Sequence, residues 1–188
     1  MFDLSLLGSE SVRPIKRVEY ERFVASGVFG DENLELLHGV LFRMSPQGTL
    51  HADAIAVLHQ MLVRVLGERA AVRSHSPFAA NDLSLPEPDL AVVPNRRYAD
   101  AHPSEAFLIV EAADSSLTKD RQIKAPLYAS NGVAEYWILD LDARAIEVHR
   151  LPTAGAYASV ARYERGAAVP LAAFPDVSIR VSDVLPAA

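Results

Sequence analysis

The fold this sequence predicts is a mixed α/β domain, one mixed sheet with helices packed on it and additional β-hairpins beside it. Three observations carry that expectation. Short apolar runs bounded by turn residues recur along the chain, as strands do. Stretches of helical period are interleaved with them rather than gathered at one end. Half of the 188 residues are hydrophobic, enough for one sizeable core. The length suits a single domain, expected over residues 15–188, preceded by an N-terminal extension over 1–14 that ends at Pro14 and shows no clear period.

Taken in order, residues 18–26 read as a short helix with Tyr20, Phe23 and Val24 on one face and Gly27 as its stop. Two apolar runs, 34–37 and 40–44, flank His38-Gly39 and predict a β-hairpin. Residues 45–48 form a loop. The spacing of Ile55, Leu58, Leu62, Val65 and Leu66 predicts a helix over 50–66, closed by Gly67. Residues 71–74 form a candidate strand, 81–88 are rich in turn formers, and 89–94 open on Asp89 and close on Pro94 as another strand. Residues 107–113 predict a buried strand that carries Glu111 among apolar neighbours. A helix is expected over 119–130, kinked or shortened by Pro126, which lacks a backbone donor. Residues 135–140 and 145–151 form a second hairpin about a turn at Asp142-Ala143; 157–163 add a strand, and 170–185 close the domain with a strand and short turns.

Composition removes several function classes. The absence of cysteine excludes disulfides, thiolate metal sites and a thiol nucleophile. No apolar run reaches the length of a membrane span, and the first residues lack a basic region and a long apolar core, so a cytoplasmic location is expected. A net charge of −6 argues against coating nucleic acid through bulk electrostatics, though not against a local basic groove. There is no Gly-x-Ser-x-Gly elbow around Ser115-Ser116 and no His-Glu-x-x-His string. His51 and His59, eight apart, do not have a metalloprotease spacing.

Glu111 is the residue that needs an explanation. A carboxylate taken from water without a partner costs several kcal/mol, so a buried one is paired, protonated or metal-bound. Asp89, Lys124 and Glu35 are its candidate partners. Asp89 and Glu111 lie at ends of consecutive strands, where two acids could share a hard cation, Mg²⁺ or Mn²⁺. Lys124 could point an ammonium at the same spot, and the set could activate water and neutralise a phosphodiester displacement. Two of the three lysines, Lys119 and Lys124, fall in this part of the chain. Each residue also has a plainer use. Lys124 could pair with Asp120 as a surface i, i+4 bridge worth about 0.3–0.5 kcal/mol. Glu35 and Glu111 could face water, Asp89 could be a turn carboxylate, His51 a structural or surface residue, Tyr136 and Trp137 core, and Arg96 and Arg97 solvated.

The ordered set Glu35-Leu-Leu-His-Gly39, Met44-Ser-Pro46, His51, Pro88-Asp89, Val110-Glu111, Asp120-Arg121, Lys124, Tyr128-Ala129, Gly132-Val133 and Glu135-Tyr136-Trp137-Ile-Leu-Asp140 resembles the Uma-two family, described as putative restriction endonucleases, a branch of the PD-(D/E)XK nucleases. The likeness runs over about residues 15–185. It implies a restriction-endonuclease-like fold, a divalent metal and hydrolysis of a DNA phosphodiester. It further implies Asp89 and Glu111 as metal-binding acids, a backbone carbonyl of Ala112 as a third ligand, and Glu35 as an additional acid. The superfamily's lysine normally lies two residues after the Glu; Ala113 stands there, which moves the basic role to Lys124. After Glu111 the chain departs from its relatives, reading Ala-Ala-Asp-Ser-Ser where many have Val-Leu-Ser-Pro-Ser. That loop and the negative net charge leave a second expectation, a binding or assembly module that keeps the fold without catalysis. A homodimer is expected because two cuts need two sites.

Overall fold

The computed structural model describes residues 13–185. The extension expected over 1–14, and the reading of its opening as no leader, lie almost wholly outside them. Helix α1 (Arg17–Ala25) precedes the hairpin β1 (Leu34–Leu37) and β2 (Val40–Arg43), after which comes the long α2 (Thr49–Leu66). The hairpin turn is tight: His38 and Gly39 both have positive φ, 51° and 79°, the backbone that a two-residue turn of this hand demands. A Cβ at residue 39 would also collide with Pro14, so glycine is required twice over.

Six strands form one mixed sheet in the order β3-β4-β5-β6-β7-β8: β3 (Ala71–Ser74), β4 (Leu90–Val93), β5 (Leu108–Ala113), β6 (Glu135–Asp140), β7 (Ala145–Thr153) and β8 (Ala156–Tyr163). Every pairing is antiparallel except β5 with β6, which is parallel and bridged by the helical segment between them. The final hairpin, β9 (Ala168–Pro170) with β10 (Ser178–Arg180), leads into the single turn α5 (Val181–Val184). Glu135 ties this hairpin down: it accepts from Trp137, Arg150 and the Ala172 N–H while 1 % exposed.

The sheet is covered on both faces, and strand alternation decides which residue meets which helix. Leu108, Val110 and Ala112 of β5 pack with Ala54, Ile55, Leu58, Leu62 and Leu66 of α2. Ile109 and Ala113 face the other way, toward Ala125 and Tyr128. Glu111 shares that second face by the same period, so its neighbours come from the segment that follows β5.

That segment corrects the continuous helix expected over 119–130. It begins earlier, as α3 (Leu117–Lys119), passes through a wide turn, Asp120–Lys124, and resumes as α4 (Ala125–Ser130). In the wide turn the Ala125 N–H donates to the Asp120 carbonyl, five residues back. Pro126, in the first turn of α4, has no N–H to give and crowds the carbonyl four residues before it, so the ladder widens ahead of it. Asp120 and Lys124, 1 % and 3 % exposed, both turn inward. The surface bridge between them is therefore absent.

Candidate active site

The ladder of β4 and β5 pairs Leu90 with Val110; carried back one residue, that register sets Asp89 across from Glu111 on the same face. The Asp89 Oδ2 accepts the Ala112 N–H at 2.8 Å, and Oδ1 lies 3.0 Å from His51 Nε2, which the first turn of α2 delivers. His75 Nδ1 stands 3.5 Å from the same Oδ1. Glu111 Oε1 accepts two bonds at 2.9 Å, from Lys124 Nζ and from the Tyr128 hydroxyl. Among the described residues no hydrogen bond reaches Glu111 Oε2. Glu35 is fully buried, with Lys119 Nζ at 2.9 Å from Oε1 and Lys124 Nζ at 3.1 Å from Oε2.

All five expected site residues, Glu35, Asp89, Glu111, Ala112 and Lys124, thus line one cleft of about 390 Å³, together with His51. Four segments distant in sequence supply them: β1, the start of β4, β5 and the wide turn. His75 and Glu87 also line the cleft and had no signal in the sequence, while Lys119, Asp120 and Tyr128 were named there without a role in the site. Tyr128 was the most accessible of these, since it lies four residues after Lys124 and on the same helical face. His51, open in the sequence between a structural or surface role and an approach to the site from the first turn of the long helix, reaches Asp89. Arg96 stays in its loop, against Tyr98 and Glu105.

Charge is unevenly balanced here. Glu35, Glu87, Asp89, Glu111, Asp114 and Asp120 line the cleft, and the lysines among its lining are Lys119 and Lys124. Burial pushes the Glu111 carboxyl well up, Lys124 pulls it back, and Asp89, Asp120 and Glu35 add to the rise. Burial also raises Asp120 and Glu87. Burial works against Glu35 too, but Lys124 and Lys119 outweigh it and hold that carboxyl below its ordinary value. Burial pulls Lys124 down, yet Glu111, Glu35 and Asp120 prevail and keep it a cation.

A surplus of buried oxygen charge is what a hard cation would relieve. Among the described residues no three His, Cys, Asp or Glu side chains gather closely enough to hold an ion by themselves. That donor set suits an ion held through one or two carboxylates with water completing its sphere, the habit of Mg²⁺, and not a zinc cage.

Comparison with known proteins agrees with this architecture. A solved structure described as "a putative nuclease belonging to DUF820 from Anabaena variabilis ATCC 29413" superposes with a TM-score of 0.72 at 18 % identity, covering 91 % of this chain and 97 % of that one. The two share a fold. No curated protein matches the chain. Among the described residues no helix is long and apolar enough to cross a membrane. The model of the Uma2 family, described as "Putative restriction endonuclease", matches residues 18–182, and the chain belongs to that family.

Proposed function

We propose that the protein is a divalent-metal-dependent endonuclease hydrolysing DNA phosphodiester bonds. The observation that carries this reading is the convergence of Asp89, Glu111 and Lys124, from separate parts of the chain, on one acidic cleft. The family's description, "Putative restriction endonuclease", supports the reaction class.

Asp89 and Glu111, with the Ala112 carbonyl, would hold the ion. When bound, it would supply Lewis-acid charge for the phosphoryl group. The protein's own part is positional. The Ala112 N–H and His51 fix the Asp89 carboxylate between two bonds. Lys124 and Tyr128 fix Glu111 through one oxygen and leave the other for a partner. Lys124, kept protonated by the acids around it, acts as a fixed positive charge near the scissile group and orients water, in preference to taking a proton from it. Glu35 anchors that ammonium from its far side.

The test is relaxation of supercoiled plasmid with Mg²⁺ or Mn²⁺, run beside Asp89→Asn, Lys124→Met and an EDTA control. Nicking by wild type that disappears in all three supports the enzyme. Identical traces from wild type and both variants remove it in favour of a fold-retaining binding module. A homodimer would present one site to each strand of a duplex, and sedimentation at working concentration tests for it.

A further inference from the structure

Lys119 is neither one of the groups that would hold the ion nor one that fixes them. It is the more exposed of the two cleft lysines, its side chain 26 % accessible against 4 % for Lys124. An ammonium has three donors. Lys124 spends two, on Glu111 and Glu35, and is enclosed by them. Lys119 bonds one oxygen, Oε1 of Glu35, at 2.9 Å. Glu35, fully buried and locked by both ammoniums, cannot follow a ligand outward, so it fixes where the Lys119 ammonium sits.

The rest of the lining makes this placement matter. A phosphodiester strand approaching the cleft meets six carboxylates and no arginine among the described lining residues. Among the described lining residues, Lys119 is the permanently charged cation within reach of the mouth, because Lys124 is both buried and engaged.

We propose that Lys119 is a substrate-contact residue, donating to a non-bridging oxygen of a backbone phosphate beside the scissile one, with Glu35 as the post that aims it. The proposal rests on the nuclease reading and adds a residue that the reaction itself does not require. Lys119 takes no part in bond breaking; it binds and registers the strand.

The experiment measures binding without turnover. Full-length protein is titrated against a fluorescein-labelled DNA duplex by anisotropy, with Ca²⁺ in place of Mg²⁺, across about 50–200 mM salt. Lys119→Met is compared with Lys119→Arg and with Lys16→Met, which removes the same charge outside the cleft. Losing one charge-assisted phosphate bond weakens binding roughly tenfold. It also reduces the slope of log affinity against log salt by about 0.9 for a duplex. Lys119→Arg retains most of both, and Lys16→Met matches wild type. Lys119→Met with a wild-type salt slope overturns the proposal even if affinity falls, because a lysine that merely neutralises Glu35 would not move that slope. Wild type that binds no duplex with or without Ca²⁺ removes the nuclease reading itself and this role with it.

Discussion

Replacing Lys124 with methionine tests the buried charge network directly. The ammonium lies 2.9 Å from Glu111 and 3.1 Å from Glu35, and all three groups are at most 5 % exposed. Breaking a buried ion pair by removing one partner costs about 3–5 kcal/mol, because the other charge is left stranded. Here neither acid is stranded alone: Glu35 keeps Lys119 and Glu111 keeps the Tyr128 hydroxyl. The lower end, about 3 kcal/mol, is therefore expected. For a chain of this size that corresponds to a melting temperature lowered by about 6–12 °C. Urea denaturation in EDTA reads it without interference from metal. Adding Glu111→Leu to Lys124→Met should recover a large part of the loss, since an apolar pair of similar volume often matches a buried ion pair, while nicking stays absent. A loss for Lys124→Met under about 1 kcal/mol is the signature of an exposed pair, and it would refute the buried network.

Other perturbations have separable readouts. Tyr128→Phe removes one of the two bonds that orient Glu111, so Mn²⁺ binding followed by electron paramagnetic resonance should weaken about tenfold while the fold is retained. His51→Ala frees Asp89 Oδ1 and should lower the nicking rate about 10–100-fold, with an unfolding midpoint close to wild type. Gly39→Ala meets both a φ of 79° and Pro14, and should destabilise by about 2 kcal/mol or more in urea. His149 lies between Tyr136 and Tyr157 with Glu147 and Arg121 nearby; burial lowers its pKa below 6.5, with Glu147 opposing. The unfolded chain then takes up a proton more readily than the native one. Its stabilising contribution is complete above pH 6.5 and is lost as pH falls through the folded pKa, so His149→Phe should flatten stability against pH in the interval from pH 6.5 down to the folded pKa.

Local periodicity made much of the fold legible before any coordinates. The α2 face, the β5 run and the His38-Gly39 turn follow from spacing that one element imposes on itself. Asp89 and Glu111 were legible as a pair because Asp89 opens one apolar run and Glu111 interrupts the next. The partners of Glu35 were not, since Lys119 and Lys124 lie more than eighty residues away and meet it only when the hairpin packs on the wide turn. The wide turn was half legible: Pro126 announced a fault in the helix, but a missing donor does not say whether the chain kinks, stops or widens. Glu135 shows the same limit from another side. It sits in an apolar strand as Glu111 does, yet its partners are Trp137, Arg150 and the Ala172 N–H, a structural clamp on the final hairpin. A buried acid in a strand therefore marks a demand for partners, and only the tertiary neighbours decide whether the demand is met by architecture or by chemistry.

The net charge of −6 loses much of its force against a nucleic-acid substrate once the acids are located. Several of them face inward, where they bear on one another and not on an approaching strand at long range: Glu35 is neutralised by two ammoniums, and burial pushes Glu111, Asp120 and Glu87 toward the protonated form. The cleft then repels a phosphodiester less than its carboxylates suggest, and on the proposed reading a divalent ion between Asp89 and Glu111 would reverse the sign where a phosphate would come to rest. Under that arrangement the protein needs no basic surface. On the proposed reading it would need one ion and one aimed lysine, and two of the chain's three lysines do lie within reach of a single buried glutamate.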